Sequence, residues 1–176
     1  MTVDIQKVEA AKKGDKDMFA QVYDAVASDL YKVALYTLGN PHDAEDVVSE
    51  TFLDAYKGIS QLRDPAKFKF WIMKILSARC KRKIAEYIRR KSQVDIEDFA
   101  SVVGDLPDLG ADMTQSVEIM QALGRLSESE RLIISLTVMQ GYTIREAAQI
   151  IGSPQGTVSS KLHRALGKLR KMLEAA

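Results

Sequence analysis

Residues 153–164, SPQGTVSSKLHR, gather short hydroxyls, amides and cations into the opening turns of an amphipathic segment. Ser153 and Pro154 form a helix-start signal, and Val158, Leu162, Ala165, Leu166, Leu169 and Leu173 make the apolar stripe that follows. Gln155, Thr157, Ser159, Ser160, Lys161, His163 and Arg164 are left toward solvent or one flank. Small polar side chains permit close approach to base edges, while Lys and Arg reach phosphates or guanine acceptors. The spacing also predicts a short helix over 144–151, joined to this segment by a Gly152-Ser153-Pro154 turn. Such a pair has helix-turn-helix geometry, with the N-terminal end of the second helix directed into the DNA major groove. A surface helix with a solvated polar face has the same pattern.

Two further groups carry concentrated charge. Residues 67–91 have a net charge of +9 and hold the one tryptophan, Trp71. Cations there can grip a nucleic-acid backbone while an aromatic ring or pocket receives an unstacked base. Lys74, Arg79, Lys81, Arg82 and Lys83 are the basic candidates, whereas Trp71, beside Phe68, Ile72 and Ile75, reads better as core. The opposite chemistry lies at Asp43, Glu45, Asp46 and Glu50, an acidic helix face that DNA would repel and that suits a different macromolecular partner. Its first-turn acids also complement the helix dipole.

These groups need elements to position them, and the apolar periodicity is helical throughout, with no sustained period-two alternation. After a short opening helix and a Gly14-Asp15 turn, apolar residues recur at three- and four-residue spacing from Phe19 to Ala34, as far as a Gly39-Asn40-Pro41 stop. Ala44, Val48, Phe52, Ala55 and Ile59 stripe the next helix. Asp64-Pro65 opens a long helix to about Lys91. Residues 92–116 hold six acids, no base, and Gly104, Pro107 and Gly110, a composition suited to an exposed flexible linker. Beyond it, a helix from about Val117 to Leu123 precedes Ser127-Glu128-Ser129-Glu130, a capping box. Leu132, Ile133, Leu136 and Met139 are expected to form the buried face of the helix it starts. The expected fold is therefore all-α, with small helical domains at 1–91 and 117–176 joined by an acidic linker at 92–116.

Catalytic and metal chemistry find little support. Cys80 is the single cysteine, and His42 and His163 lie far apart with no Cys/His cluster. No cofactor, metal or small-molecule substrate is expected, and no enzyme activity. With no apolar run of membrane-spanning length and no basic-then-apolar leader, a cytoplasmic location is expected.

EAAQIIGSPQGTVSSKLHRALGKLRKML resembles the region 4 motif of bacterial sigma factors, and LSESERLIISLTVMQGYTIREAA resembles the helices before it. NPHDAEDVVSETFLDAYKGI resembles sigma region 2.2, and FKFWIMKILSARCKRKIAEYIRRK resembles regions 2.3 and 2.4. The order and the short connection are those of extracytoplasmic-function (ECF) sigma factors. The resemblance implies that the acidic helix docks on the clamp helices of core RNA polymerase. It also implies that residues 67–91, with Gln61 and Arg63 in the preceding loop, meet the minus-10 promoter element, and the 153–173 helix the minus-35 element. An anti-sigma factor, often membrane-anchored, is the implied regulator.

Departures stand at Ala78, where the family commonly has Asn, at Arg82, commonly Asp, at Ala147 within EAA, and at Ser159 and Lys161, where arginines are usual. Lys lacks the two-pronged contact that Arg makes to guanine. The rival reading is a stand-alone LuxR-like helix-turn-helix regulator, which would account for 117–176 and leave the acidic and Trp71 helices without a role.

Overall fold

The computed structural model describes residues 2–91 and 113–174, and every regular element among them is helical. The N-terminal half contains α1 (Ile5–Lys12), α2 (Lys16–Leu38), α3 (Pro41–Gly58) and α4 (Phe68–Lys91). Single 3₁₀ turns at Ile59–Gln61 and Pro65–Lys67 lead from α3 into α4. The C-terminal half contains α5 (Met113–Gly124), α6 (Glu128–Ile134), α7 (Ile144–Ile151) and α8 (Gln155–Glu174). Most of the 92–116 linker lies outside the described residues, and α5 starts four residues ahead of the expected Val117.

Helix ends are set by local chemistry. The side chains of Asp15 and Asn40 accept from the Met18 and Asp43 N–H groups at the starts of α2 and α3. Gly39 and Gly152 close α2 and α7 at φ 72° and 70°, the left-handed backbone that glycine adopts without a Cβ penalty. Ser127 and Glu130 form the expected capping box at α6, and Thr143 with Glu146 forms a second at α7.

The apolar stripes of α1 to α4 converge on one core that includes Val8, Val26, Leu30, Phe52, Phe68, Ile72 and Leu76. Trp71 is half-buried against it, with its ring centroid 5.9 Å from that of Phe68, as the apolar neighbours suggest. The same cluster continues into the C-terminal half through Leu132, Ile133, Leu136, Ala147, Ala148, Ile150 and Val158. The end of α2 is consequently buried on all sides from Val33 to Leu38, because α6 and the segment after it pack on the face that α1, α3 and α4 leave open.

Two expected core positions prove to be exposed. Residues Ser135–Met139 form a π turn, with the Gln140 N–H bonded to the Ser135 carbonyl five residues back. The wider turn advances the register, so Ser135 and Leu136 stay buried while Met139 is 40% exposed. In α8 the buried line runs through Val158, Leu162, Ala165 and Leu169, leaving Leu166 at its edge, 44% exposed.

Candidate promoter and polymerase interfaces

In the helix-turn-helix, the Gly152 and Ser153 N–H groups both bond the Ala148 carbonyl, closing the turn tightly before α8. The Val158 N–H bonds the Pro154 carbonyl, so the helix starts at Gln155, one residue after its expected first position. Val158 and Ala165 seat α8 on the core. Gln155, Thr157, Ser159, Ser160, His163 and Arg164 are all exposed on its opposite side. Ser160 Oγ donates to the Gly156 carbonyl at 2.9 Å, and Arg164 Nε lies 3.4 Å from the Ser160 carbonyl. Lys161 differs from the rest: it is half-buried, with its ammonium 3.3 Å from Ser129 Oγ at the start of α6.

α8 is oriented by a buried carboxylate. Glu130 accepts from Lys168 at 2.9 Å and from the Ser127 N–H at 2.9 Å, so one side chain joins α8 to the cap of α6. Burial alone would push the Glu130 carboxyl up, but the Lys168 and Ser127 hydrogen bonds outweigh it and hold the group below its ordinary range. Arg145 and Gln149 are exposed on α7, where they line a shallow cleft with Ser153 and Gln155. The reading of α8 by itself missed both, although a helix beside a recognition helix is well placed to meet the DNA backbone.

The acidic and basic groups of the N-terminal half meet each other. Arg79 reaches back from α4 to Asp54 and Glu50 on α3, each at 2.6 Å. One turn further along, Lys83 pairs with Asp43 at 2.7 Å, and the Tyr87 hydroxyl donates to the same carboxylate. Burial raises the Asp43 carboxyl, but the Lys83 and Tyr87 hydrogen bonds prevail and the net shift is downward. Burial and the Asp43 carboxylate together push the Tyr87 hydroxyl up. Asp43 and Glu50, expected to face a polymerase, and Arg79 and Lys83, expected to face DNA, thus join α3 to α4.

The remaining candidates point outward. Glu45 and Asp46 are exposed on α3, on the same helix as Leu53 and Tyr56, which are 59% and 49% exposed. Gln61 and Arg63 are exposed in the turn before α4. Lys74 and Arg82 are exposed on α4 itself, Lys74 lying 5.9 Å from the Phe70 ring centroid. Lys81 is also exposed, but its ammonium donates to the Ile151 carbonyl at the end of α7, 2.9 Å away.

Comparison with known proteins accounts for both halves. Residues 22–101 match the family model for Sigma-70 region 2, and residues 122–171 that for Sigma-70 region 4. The ECF RNA polymerase sigma factor SigW of Bacillus subtilis is 30% identical over an alignment spanning 96% of this chain and 95% of that protein. The chain belongs to the ECF sigma factors. SigM of Mycobacterium tuberculosis strain H37Rv is 26% identical, with 97% and 84% covered. Among solved structures, the sigma factor RpoE of Bartonella quintana, bound to the anti-sigma factor NepR, superposes with a TM-score of 0.70 at 26% identity. That match covers 89% of this chain and 96% of RpoE. CnrH, solved with the cytosolic domain of CnrY, shares the fold at a TM-score of 0.68 and 23% identity, with 98% and 97% covered. The region 2 match removes the LuxR-like reading, which has no counterpart for residues 22–101. No helix among the described residues is long and apolar enough to cross a membrane.

Proposed function

We propose that this sigma factor binds core RNA polymerase and directs it to a restricted set of promoters, the polymerase supplying all of the catalysis. The observation that carries this reading is the exposed polar face of α8 from Gln155 to Arg164, mounted on a closed helix-turn-helix turn and joined in one chain to a basic α4. Gln155, Thr157, Ser159, Ser160, His163 and Arg164 would meet the minus-35 element, with Lys161 beside them. Gln61, Arg63, Lys74, Lys81 and Arg82 would hold the minus-10 element. Arg79 and Lys83 would take part mainly by fixing α4, since their charges are already shared with α3.

Glu45 and Asp46 would lead the polymerase contact, Asp43 and Glu50 shaping the helix behind them. The N-terminal region 1–91 and C-terminal region 117–176 act as the two functional units, with 92–116 between them. The sigma–anti-sigma complexes among the structural relatives support an anti-sigma factor as the regulator, with the chain working in the cytoplasm or held at a membrane by that partner. The test is to reconstitute the chain with core polymerase, select the genomic DNA fragments the complex retains, and measure run-off transcription from them. Transcripts that require both core and this chain support the reading, and a chain that neither joins core nor changes its start sites rejects it.

A further inference from the structure

Gly58 is the last residue of α3 and stands where the chain turns toward Gln61 and Arg63. Its backbone, at φ -102° and ψ -8°, is right-handed and open to any residue, so conformational freedom does not account for a glycine here. The space around it does. A Cβ at this position would lie 3.4 Å from Cζ2 and 3.9 Å from Cη2 of Trp71, so the benzo edge of the indole rests on bare backbone. A side chain branched at that Cβ would press on the ring or on the turn.

The loop that begins at Gly58 is anchored along its length. Ile59 and Leu62 are buried in the core, and the Leu62 N–H closes the first 3₁₀ turn on the Ile59 carbonyl at 3.1 Å. Asp64 caps the second turn by accepting from the Ala66 N–H at 3.0 Å. α1 packs against both turns. Gln61 and Arg63, on either side of the buried Leu62, are thereby left facing water in a defined arrangement. Trp71 adds the contact at the point where this loop leaves α3, and it does so from α4, the helix that carries Lys74, Lys81 and Arg82.

We propose that Trp71 and Gly58 are positioning residues for minus-10 recognition. The indole, seated on the glycine, sets the loop bearing Gln61 and Arg63 relative to the exposed cations of α4, and makes no contact with DNA itself. The inference rests on the minus-10 role proposed for those residues, while the seating of the ring is measurable without DNA.

The test uses the full chain, free and as holoenzyme with core polymerase. Trp71 is the single tryptophan, so emission from the free chain reports this ring alone. Holoenzyme affinity is read on a fork fragment cut from a retained promoter and single-stranded across the minus-10 element, and on a duplex carrying the minus-35 element only. Gly58→Val should shift the emission to longer wavelength as the ring is pushed toward water. It should also weaken fork binding about tenfold while minus-35 binding holds. Trp71→Phe deletes the benzo atoms that approach Gly58 and should weaken fork binding about threefold. Adding Gly58→Val to Trp71→Phe should refill that space and recover wild-type affinity, so that one valine harms beside the indole and helps beside the phenyl ring.

Wild-type fork affinity or unshifted emission in Gly58→Val overturns the proposal, as does equal weakening on both fragments, which would mark a general loss of fold. If Gly58→Val alone fails to fold, the double variant decides. No recovery relative to Trp71→Phe overturns the positioning role and is the result expected of a ring that itself stacks on a base. Failure of the sigma-factor reading would appear separately, as a wild-type chain that gives no transcription with core.

Discussion

Lys83 and Asp43 lie 2.7 Å apart across α3 and α4, a basic residue of the helix proposed to meet the promoter bound to an acidic residue of the helix proposed to meet the polymerase. The two helices are thereby joined as one unit. Because the Asp43 carboxyl is held below its ordinary range in the fold, its protonation costs stability. The sign follows from linkage: a depressed folded pKa stabilises above the unfolded value of about 4 and loses that contribution as pH falls through the folded value. Asp43→Asn should lower the unfolding midpoint at neutral pH. The gap to wild type should narrow below about pH 4 and close at more acid pH, as thermal melts across pH 2–7 would show.

Arg79 is half-buried between Asp54 and Glu50, and its guanidinium uses the fork geometry that a lysine lacks. Arg79→Ala should destabilise the fold by about 1–3 kcal/mol in urea titrations. A double-mutant cycle with Asp54→Ala should return a coupling of about 1 kcal/mol, and additive effects would show that the pair is incidental.

The proposed polymerase surface can be tested without disturbing that pairing. Glu45→Lys with Asp46→Lys changes two exposed carboxylates and should weaken association with core while leaving the melting temperature within about 2 °C, since exposed charges contribute little to stability. Reversing Asp43 as well would break the Lys83 pair, so a loss of core binding in the triple variant could reflect a loosened α3. Full core affinity in the double variant would remove Glu45 and Asp46 from the interface.

The helices, their caps and their inner faces were legible in the sequence because each is a local pattern. Asp64-Pro65 and Ser127 mark starts, Gly39 marks a stop, and apolar residues return every three or four positions. The α3–α4 pairing was not legible, since Arg79 meets Glu50 from 29 positions away and either charge could equally have faced water. Tyr36 was hidden for a related reason. Burial all round the end of α2 signals a second partner, but the sequence does not name the face that supplies it. Met139 was misplaced because a π turn shifts the helical register by a residue, and Leu166 because a stripe read at both i+3 and i+4 includes its own margin. In α8, Gln155, Thr157, Ser159, Ser160, His163 and Arg164 are exposed, while Lys161 lies toward one flank, its long stem folded back toward Ser129.

That distinction within α8 gives the last expectation. Arg164 is exposed, and its neighbouring contact is a backbone carbonyl of its own helix at 3.4 Å, so its removal should cost the fold little. A lost Arg contact to a base or phosphate is worth about 1–3 kcal/mol, and Arg164→Ala should weaken minus-35 binding by that amount while core association stays intact. Ser160→Ala should have a smaller effect, because its hydroxyl hydrogen is already given to the Gly156 carbonyl and only its acceptor capacity is open to DNA. Lys161→Ala should fall between them and differ in kind. Its ammonium reaches the start of α6, so part of the loss should appear as lower stability of the helix-turn-helix and not as a reduced salt slope of DNA binding. Holoenzyme binding to a retained promoter fragment, measured over a salt series alongside thermal melts of the three variants, separates these outcomes. A Lys161→Ala variant with wild-type stability and a salt slope reduced by about one would place that ammonium on a phosphate instead.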